Sequence, residues 1–194
     1  TEARAVKDFE AWLRNRFRKD VPWTEIVSDM LNARGNLDGD PALGYLLSFH
    51  RRCRFPEDFS EGVARHFLGI RLYCAGCHDH PYDKWRVDDY YGLASFIVRQ
   101  DTRVIKGVPQ LRYRAEGEQP LPNLSGGKGA TVNLSDGGTA APHFLFGGKA
   151  EKNDDRMQVL AQFMTARANS QLPRMLVNRV WGWLFGTGIV HPVD

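Results

Sequence analysis

The pentapeptide Cys74-Ala75-Gly76-Cys77-His78 constrains this chain more than any other stretch. Cys-x-x-Cys-His is the attachment signature of a c-type haem. On a helix, Cys74 and Cys77 stand at i and i+3, and His78 stands at i+4 from Cys74, so all three leave one face. From that face the two sulfurs can form thioethers with the haem vinyl groups, and an imidazole nitrogen can reach the iron as proximal ligand. Ala75 and Gly76 are small, so nothing between the anchors obstructs the ring.

The same residues admit other chemistry. Cys-x-x-Cys alone also builds a redox-active disulfide or half of a zinc site. A thioredoxin-type site sits at a strand-to-helix junction, whereas the stretch before Cys74 reads as helical. A zinc site needs a second pair of ligands, and Cys74, Cys77, His78 and His80 make a crowded tetrad with Cys53 to spare. Haem leads among these readings, with the others left open.

The sixth iron ligand is not assigned by the sequence. His80 lies two residues from His78 and cannot cross to the opposite haem face, so its expected role is a hydrogen bond or packing beside the haem edge. His66 sits on the same predicted helix as His78 and is excluded on the same ground. His50, His143, His191, Met157, Met164 and Met175 remain, and the methionines lie in apolar helical stripes where packing is the usual role. A five-coordinate iron also satisfies the pattern. Tyr82 and Trp85, with Tyr90 and Tyr91, crowd just after the motif and either wall a haem crevice or belong to the core.

Composition excludes several classes. The 194 residues are 42% hydrophobic and 25% charged, an ordinary globular balance. No apolar run approaches the roughly 18 residues of a membrane helix. A net charge of +3 is too weak and too dispersed to argue for nucleic acid. Three cysteines do not make a disulfide scaffold. Arg14, Arg16, Arg18 and Lys19 form one basic run, and Arg51, Arg52 and Arg54 form another. Both read first as solvated helix faces, and second as sites for propionates or an acidic redox partner. Asp79, Asp83 and Asp88 do not have the spacing of a calcium loop.

Hydrophobic periodicity predicts a mostly helical chain. Val6, Phe9, Trp12, Leu13 and Phe17 recur at helical spacing between Ala5 and Lys19. Pro22 suits the first turn of a second helix, with Ile26, Val27, Met30 and Leu31 inward and Gly35 as its stop. Leu43, Leu46, Leu47 and Phe49 mark a short third helix. The next is expected to start near Pro56, Asp58 and Ser60 and to carry Val63, Phe67, Ile70 and Leu72 up to Cys74. Asp88 or Asp89 caps another, with Tyr91, Leu93, Ala94, Phe96 and Ile97 inward. Arg103 to Arg114 alternates like one or two short strands. Glu116 to Gly148, rich in Gly, Pro, Asn and Ser, reads as a surface excursion or linker. Two helices close the chain. One starts at Asp154 or Asp155 with Met157, Leu160, Phe163 and Met164, and the other has an apolar face of Leu176, Val177, Val180, Trp181, Leu184 and Phe185.

Longer runs carry a family resemblance. Phe67-Leu68-Gly69-Ile70-Arg71-Leu72, the stretch from Cys74 through His80-Pro81-Tyr82-Asp83-Lys84-Trp85, and Asp89-Tyr90-Tyr91-Gly92-Leu93-Ala94 together resemble the planctomycete-type secreted cytochrome-like family. Asp8-Phe9-Glu10-Ala11-Trp12-Leu13 and Val21-Pro22-Trp23 resemble its upstream half. Leu176 to Trp181 and Leu184 to Asp194 resemble the start of the companion domain fused behind it. The resemblance implies an exported bacterial protein, periplasmic or extracellular, of which this chain is an internal piece. The role of the family is poorly defined, so the likeness speaks for compartment and haem more than for a reaction. Cys53, His66 and His143 fall in none of these motifs.

The expectation is therefore a mainly α fold: a helical c-type-cytochrome-like domain with minor β and a long Gly-rich loop. Residues 1–100 form the haem-attachment domain, 101–150 an irregular or β linker, and 151–194 the helical start of the companion domain. One haem c is expected on Cys74 and Cys77, with His78 as proximal iron ligand and His80, Tyr82 and Trp85 supporting it. The expected function is one-electron transfer, as a carrier rather than an enzyme. Its partners would be a redox protein or other cytochrome domains of the same polypeptide or complex. The alternatives are a zinc enzyme or structural module on the same cluster, and an assembly domain in which haem is a covalent staple.

Overall fold

Where apolar residues recur on one side, the chain coils as that spacing predicts. The structure is a computed structural model, and it describes residues 2–50, 57–97, 100–105, 108–113, 132–133, 139–151 and 154–191. It is mainly helical with minor β structure. Helix α1 (Glu2–Arg18) lays Phe9, Trp12 and Leu13 against the core, while Val6 and Phe17 stay exposed. Helix α2 (Trp23–Asn32) buries Ile26, Val27, Met30 and Leu31. It ends before the expected stop, because Gly35, at φ +82°, instead starts strand β1 (Gly35–Asn36). Helix α3 (Leu43–His50) buries Leu43, Leu46, Leu47 and Phe49. It lies so close to α1 that a Cβ on Gly44 would stand 2.7 Å from Cβ of Phe9.

The helix expected to run up to Cys74 stops short of it. Helix α4 (Glu57–Val63) widens into a π-helical turn over Ala64–Leu68 and is closed by Gly69 in the left-handed region at φ +65°. Left-handed backbone carries little penalty only for glycine, so this residue ends helices readily. Cys74 then falls on a separate 3-10 turn, Tyr73–Gly76. His66 and His78 therefore do not share a helix, and the ground for excluding His66 as a distal ligand is corrected. Helix α5 (Val87–Ala94) follows, with Asp89 Oδ2 accepting the Arg86 N–H at 2.8 Å.

Strands β2 (Gln100–Ile105) and β3 (Val108–Tyr113) pair antiparallel, with β1 on the far side of β3. Strands β4 (Val132–Asn133) and β5 (Thr139–Ala140) form a second ladder. The end of the Gly-rich stretch is not a surface excursion. Phe144 N–H donates to Gly148 O at 2.8 Å across a tight turn, and Phe144 and Leu145 are buried. Two aromatic contacts hold this turn to the core, Phe144 stacked on Phe163 and Phe146 edge-on to Trp85.

Helix α6 (Arg156–Thr165) starts at the N-cap Asp155 and buries Met157, Leu160, Ala161 and Met164 against α2. Arg156 is almost fully buried and donates to Ser95 O at 2.7 Å. Helix α7 (Gln171–Phe185) buries Leu172 and Met175 against the π turn. The face predicted to be buried, Val177, Val180, Trp181, Leu184 and Phe185, is the exposed one. One cluster joins Leu31, Phe59, Leu93, Phe144, Leu160 and Leu172, so α6 and the start of α7 share a core with α2 to α5.

Candidate functional site

The motif turn is built from backbone bonds. Ala75 N–H donates to Leu72 O at 2.8 Å, while Cys74 O accepts both Cys77 N–H at 3.2 Å and His78 N–H at 3.3 Å. The turn ends at Gly76, with Cys77 its C-cap and His78 beyond it, so the α-helical i, i+3, i+4 face expected for Cys74, Cys77 and His78 is not formed. Ala75 is buried beneath it, Cys74 is half-buried, and Cys77 and His78 are exposed. Both cysteines are free thiols. Under the turn, a Cβ on Gly76 would stand 3.2 Å from the Tyr90 ring, and the Tyr91 hydroxyl donates to Gly76 O at 3.0 Å. The turn is thus fixed from the core side and open outward.

His78 Nδ1 lies 2.8 Å from Asp79 O. A carbonyl oxygen only accepts, so Nδ1 is the donor here, and in the neutral ring Nε2 then has the lone pair. Metal-bound histidines are held in this way, with the second ring nitrogen donating to a carbonyl or carboxylate. Asp79 is itself held, its Oδ1 accepting Val87 N–H at 3.1 Å and its Oδ2 lying 3.6 Å from Arg86 Nε.

His80 is turned to a different task. Its N–H donates to Trp85 O at 2.8 Å, closing the loop over residues 80–85, and its Nδ1 accepts Tyr82 N–H at 3.3 Å. Trp85 is buried, with Lys84 Nζ 4.8 Å from the centre of its ring, whereas Tyr82 is 95% exposed. Tyr90 is buried and Tyr91 half-buried under the turn. Trp85, Tyr90 and Tyr91 thus pack into the fold, while Tyr82 stands in solvent. Among the described residues, no group of three or more His, Cys, Asp or Glu side chains is placed to hold a metal ion, so the Cys74, Cys77, His78 and His80 tetrad is not assembled.

The donor chemistry fits a covalent haem. Two reachable thiols and an imidazole with its Nε2 lone pair uncommitted share one exposed turn, and no bulky side chain lies between them.

The other named residues lie elsewhere. His66 Nδ1 is 3.3 Å from the Tyr45 hydroxyl, and burial pushes the Tyr45 phenol well above its usual range. His66 and His191 line an open cleft of about 740 Å³ together with Arg65, Arg179 and Trp183. His143 packs on the α-carbon of Gly92, with Nε2 3.5 Å from Asp89 Oδ1. Met157, Met164 and Met175 are buried. In α1, Arg14 pairs with Glu10, and Arg16 pairs with Glu25 and Asp29. Asp83 Oδ1 accepts Lys84 N–H. Cys53 and the Arg51, Arg52 and Arg54 run lie outside the described residues, as does the His50 side chain.

Glu61 is a contributor that local sequence does not reveal. Its carboxylate accepts Leu72 N–H at 3.0 Å and a second backbone N–H at Tyr73, tying α4 to the motif turn. Burial pushes its carboxyl above the usual range, opposed by those bonds and by Arg65 and Arg71.

Comparison with protein families finds two matches. Residues 1–102, more than half of the chain, match PSCyt2, described as a protein of unknown function (DUF1549). Residues 155–194 match PSD1, likewise described as a protein of unknown function (DUF1553). No curated protein and no solved structure matches the chain.

Proposed function

The chain belongs to the PSCyt2 family, and from that premise we propose that it is a c-type cytochrome with one haem c on Cys74 and Cys77 and His78 as axial iron ligand. The observation that carries this reading is the His78 ring, with Nδ1 committed to Asp79 O and Nε2 left for a metal, on the turn that bears both thiols. Cys74 and Cys77 would hold the group through thioethers, each sulfur adding to one vinyl carbon and its proton to the other. Attachment is therefore redox-neutral once both cysteines are reduced. Ala75, Tyr90 and Tyr91 brace the turn from below, so the anchors keep their spacing while the outer side stays accessible. Asp79 orients the imidazole through its carbonyl and is itself fixed by Val87. When bound, haem supplies a one-electron iron couple.

In this reading the chain is an electron carrier rather than an enzyme and works in the periplasm or outside the cell. It exchanges electrons with a redox protein or with other cytochrome domains of the same polypeptide or complex. The family name points to a cytochrome-like domain, and the exposed turn suits transfer across a surface. The test is an alkaline pyridine haemochrome spectrum with intact mass, on protein matured in a host that assembles c-type haem. A c-type band and one added haem mass are expected, both lost in the Cys74→Ala/Cys77→Ala double variant. A haem-free protein in which elemental analysis finds zinc would overturn it.

A further inference from the structure

Glu61 stands where α4 meets the motif turn. Its Oε2 accepts Leu72 N–H at 3.0 Å, and the carboxylate accepts a second bond from Tyr73 N–H. Leu72 in turn offers its carbonyl to Ala75 N–H at 2.8 Å. One residue thus joins this carboxylate to the turn that carries Cys74. Leu72 and Ala75 are fully buried, and Glu61 itself is half-buried. The carboxylate is therefore held by backbone bonds at the base of the turn, on its core side.

Opposing influences set its charge. Burial favours the protonated form, while the two backbone donors and the guanidinium groups of Arg65 and Arg71 favour the anion. Arg65 comes from the π turn and Arg71 from the segment before the motif. Helix α5 also packs on α4, with the Ser60 hydroxyl donating to Tyr90 O at 2.8 Å, and among the described residues it brings no charged group to Glu61. With burial on one side and two cations on the other, a change of charge in the motif turn moves the balance. Reduction is such a change. On the function proposed above, on which this inference rests, an electron delivered to a haem held by the turn removes one positive charge. At the low dielectric of a partly buried site, that loss reaches the carboxylate less screened than in water.

We propose that Glu61 takes up a proton when the domain is reduced and releases it when the domain is oxidised. The balance is one electron from the redox partner and one proton from solvent for each carboxylate converted to a carboxyl, and both leave on oxidation. Linkage makes the effect reciprocal: reduction tightens proton binding at Glu61, so protonation of Glu61 raises the reduction potential. The chain then carries an electron together with a proton and gives up its electron more readily as pH rises.

The experiment measures the reduction potential of the haem-loaded chain against pH, for the wild type, Glu61→Gln and Arg65→Gln, together with proton uptake on reduction in unbuffered solution. The wild-type potential is expected to fall with rising pH across a window above the ordinary glutamate value of 4.5, with protons taken up there. Glu61→Gln keeps an acceptor for Leu72 N–H but does not titrate, so the fall in that window and its proton uptake are lost. A residue that only braced the turn would shift the potential equally at every pH and leave the slope in place. Arg65→Gln removes a cation that faces the carboxylate and moves the window to higher pH. The Arg65 side chain is exposed, so this second variant keeps the fold even where Glu61→Gln does not. Haem present, with one slope shared by wild type and Glu61→Gln or a window that Arg65→Gln does not move, would overturn this inference and leave the cytochrome function standing. A matured chain without haem would overturn both.

Discussion

The Tyr91 hydroxyl donates to the Gly76 carbonyl at 3.0 Å, from a helix that begins after the motif turn has ended. The ring of the neighbouring Tyr90 lies flat enough against Gly76 that a Cβ there would stand 3.2 Å from it. Two successive residues of α5 thus hold the turn that presents Cys74, Cys77 and His78. The four-residue turn has few bonds of its own, so its geometry depends on this support.

Tyr91→Phe removes the donor and leaves the ring. The Gly76 carbonyl is half-buried, so the expected cost is about 1 kcal/mol of unfolding free energy. The more specific readout is thiol chemistry: labelling of Cys77 in the haem-free protein should accelerate, because the turn samples more conformations. A variant with wild-type stability and wild-type labelling rate would show that the bond contributes nothing to the turn.

Helix α2 is legible in the sequence because its apolar residues lie on one side, and α3 because it is apolar around most of its circumference. Ile26, Val27, Met30 and Leu31, like Leu43, Leu46, Leu47 and Phe49, are therefore buried as their spacing predicts. Helix α7 fails the same reasoning for a physical reason: it is apolar on both sides, and periodicity does not say which side meets the core. The π turn is also hidden, since nothing in Ala64–Leu68 marks a widened helix and only Gly69 signals the break before Cys74. Local spacing brings Cys74, Cys77 and His78 within five residues of one another. It does not give Tyr91 bonded to Gly76, or Glu61 bonded to Leu72, because those contacts join residues 15 and 11 apart across separate elements.

Gly92 carries a close approach of the same hidden kind. A Cβ at this position would stand 2.2 Å from Cε1 of His143. Alanine is favoured over glycine in a helix by about 1 kcal/mol, but forcing the imidazole aside costs about 1–3 kcal/mol. Gly92→Ala is therefore expected to destabilise the wild-type chain and to stabilise the His143→Ala background. A double-mutant cycle by chemical denaturation checks this. Equal effects of Gly92→Ala in the two backgrounds would show that the two residues do not meet.

The sign of the pH dependence at Glu61 follows from its raised carboxyl. Burial is the largest cause, so the folded state favours the protonated form more than the unfolded state does. The stability this group contributes is fully present below the unfolded value near 4.5 and is lost as pH rises through the higher folded value. Glu61→Gln keeps an acceptor for Leu72 N–H and removes the titration. The variant should thus gain on the wild type as pH rises from about 4 to about 7. Glu61→Ala leaves backbone N–H groups without their acceptor and should cost about 1–3 kcal/mol. Urea titrations across that pH range read both effects, and a constant gap between Gln and wild type would contradict the assignment.

Asp155 holds two roles at the start of α6 that one pair of variants can separate. Its Oδ1 accepts Gln158 N–H at 3.3 Å as the helix N-cap, and both its oxygens accept from Arg34 Nη2, at 2.7 and 2.5 Å. Arg34 follows α2, and α2 is the helix on which α6 packs. Asp155→Ser keeps a capping oxygen but no charge for Arg34, whereas Asp155→Ala loses both. The ion pair is only partly buried, with about a third of each side chain exposed, so its share is expected to be about 1 kcal/mol or less. The cap contributes about 1 kcal/mol more. Asp155→Ala should therefore cost about twice as much as Asp155→Ser, and Arg34→Met should match Asp155→Ser. Raising the salt concentration should narrow the gap between wild type and Asp155→Ser while leaving the gap between Ser and Ala unchanged, because screening weakens the pair and leaves the cap in place. If Ser and Ala are equally destabilising, the carboxylate acts only through Arg34, and α6 is held to α2 by its apolar face and that one contact.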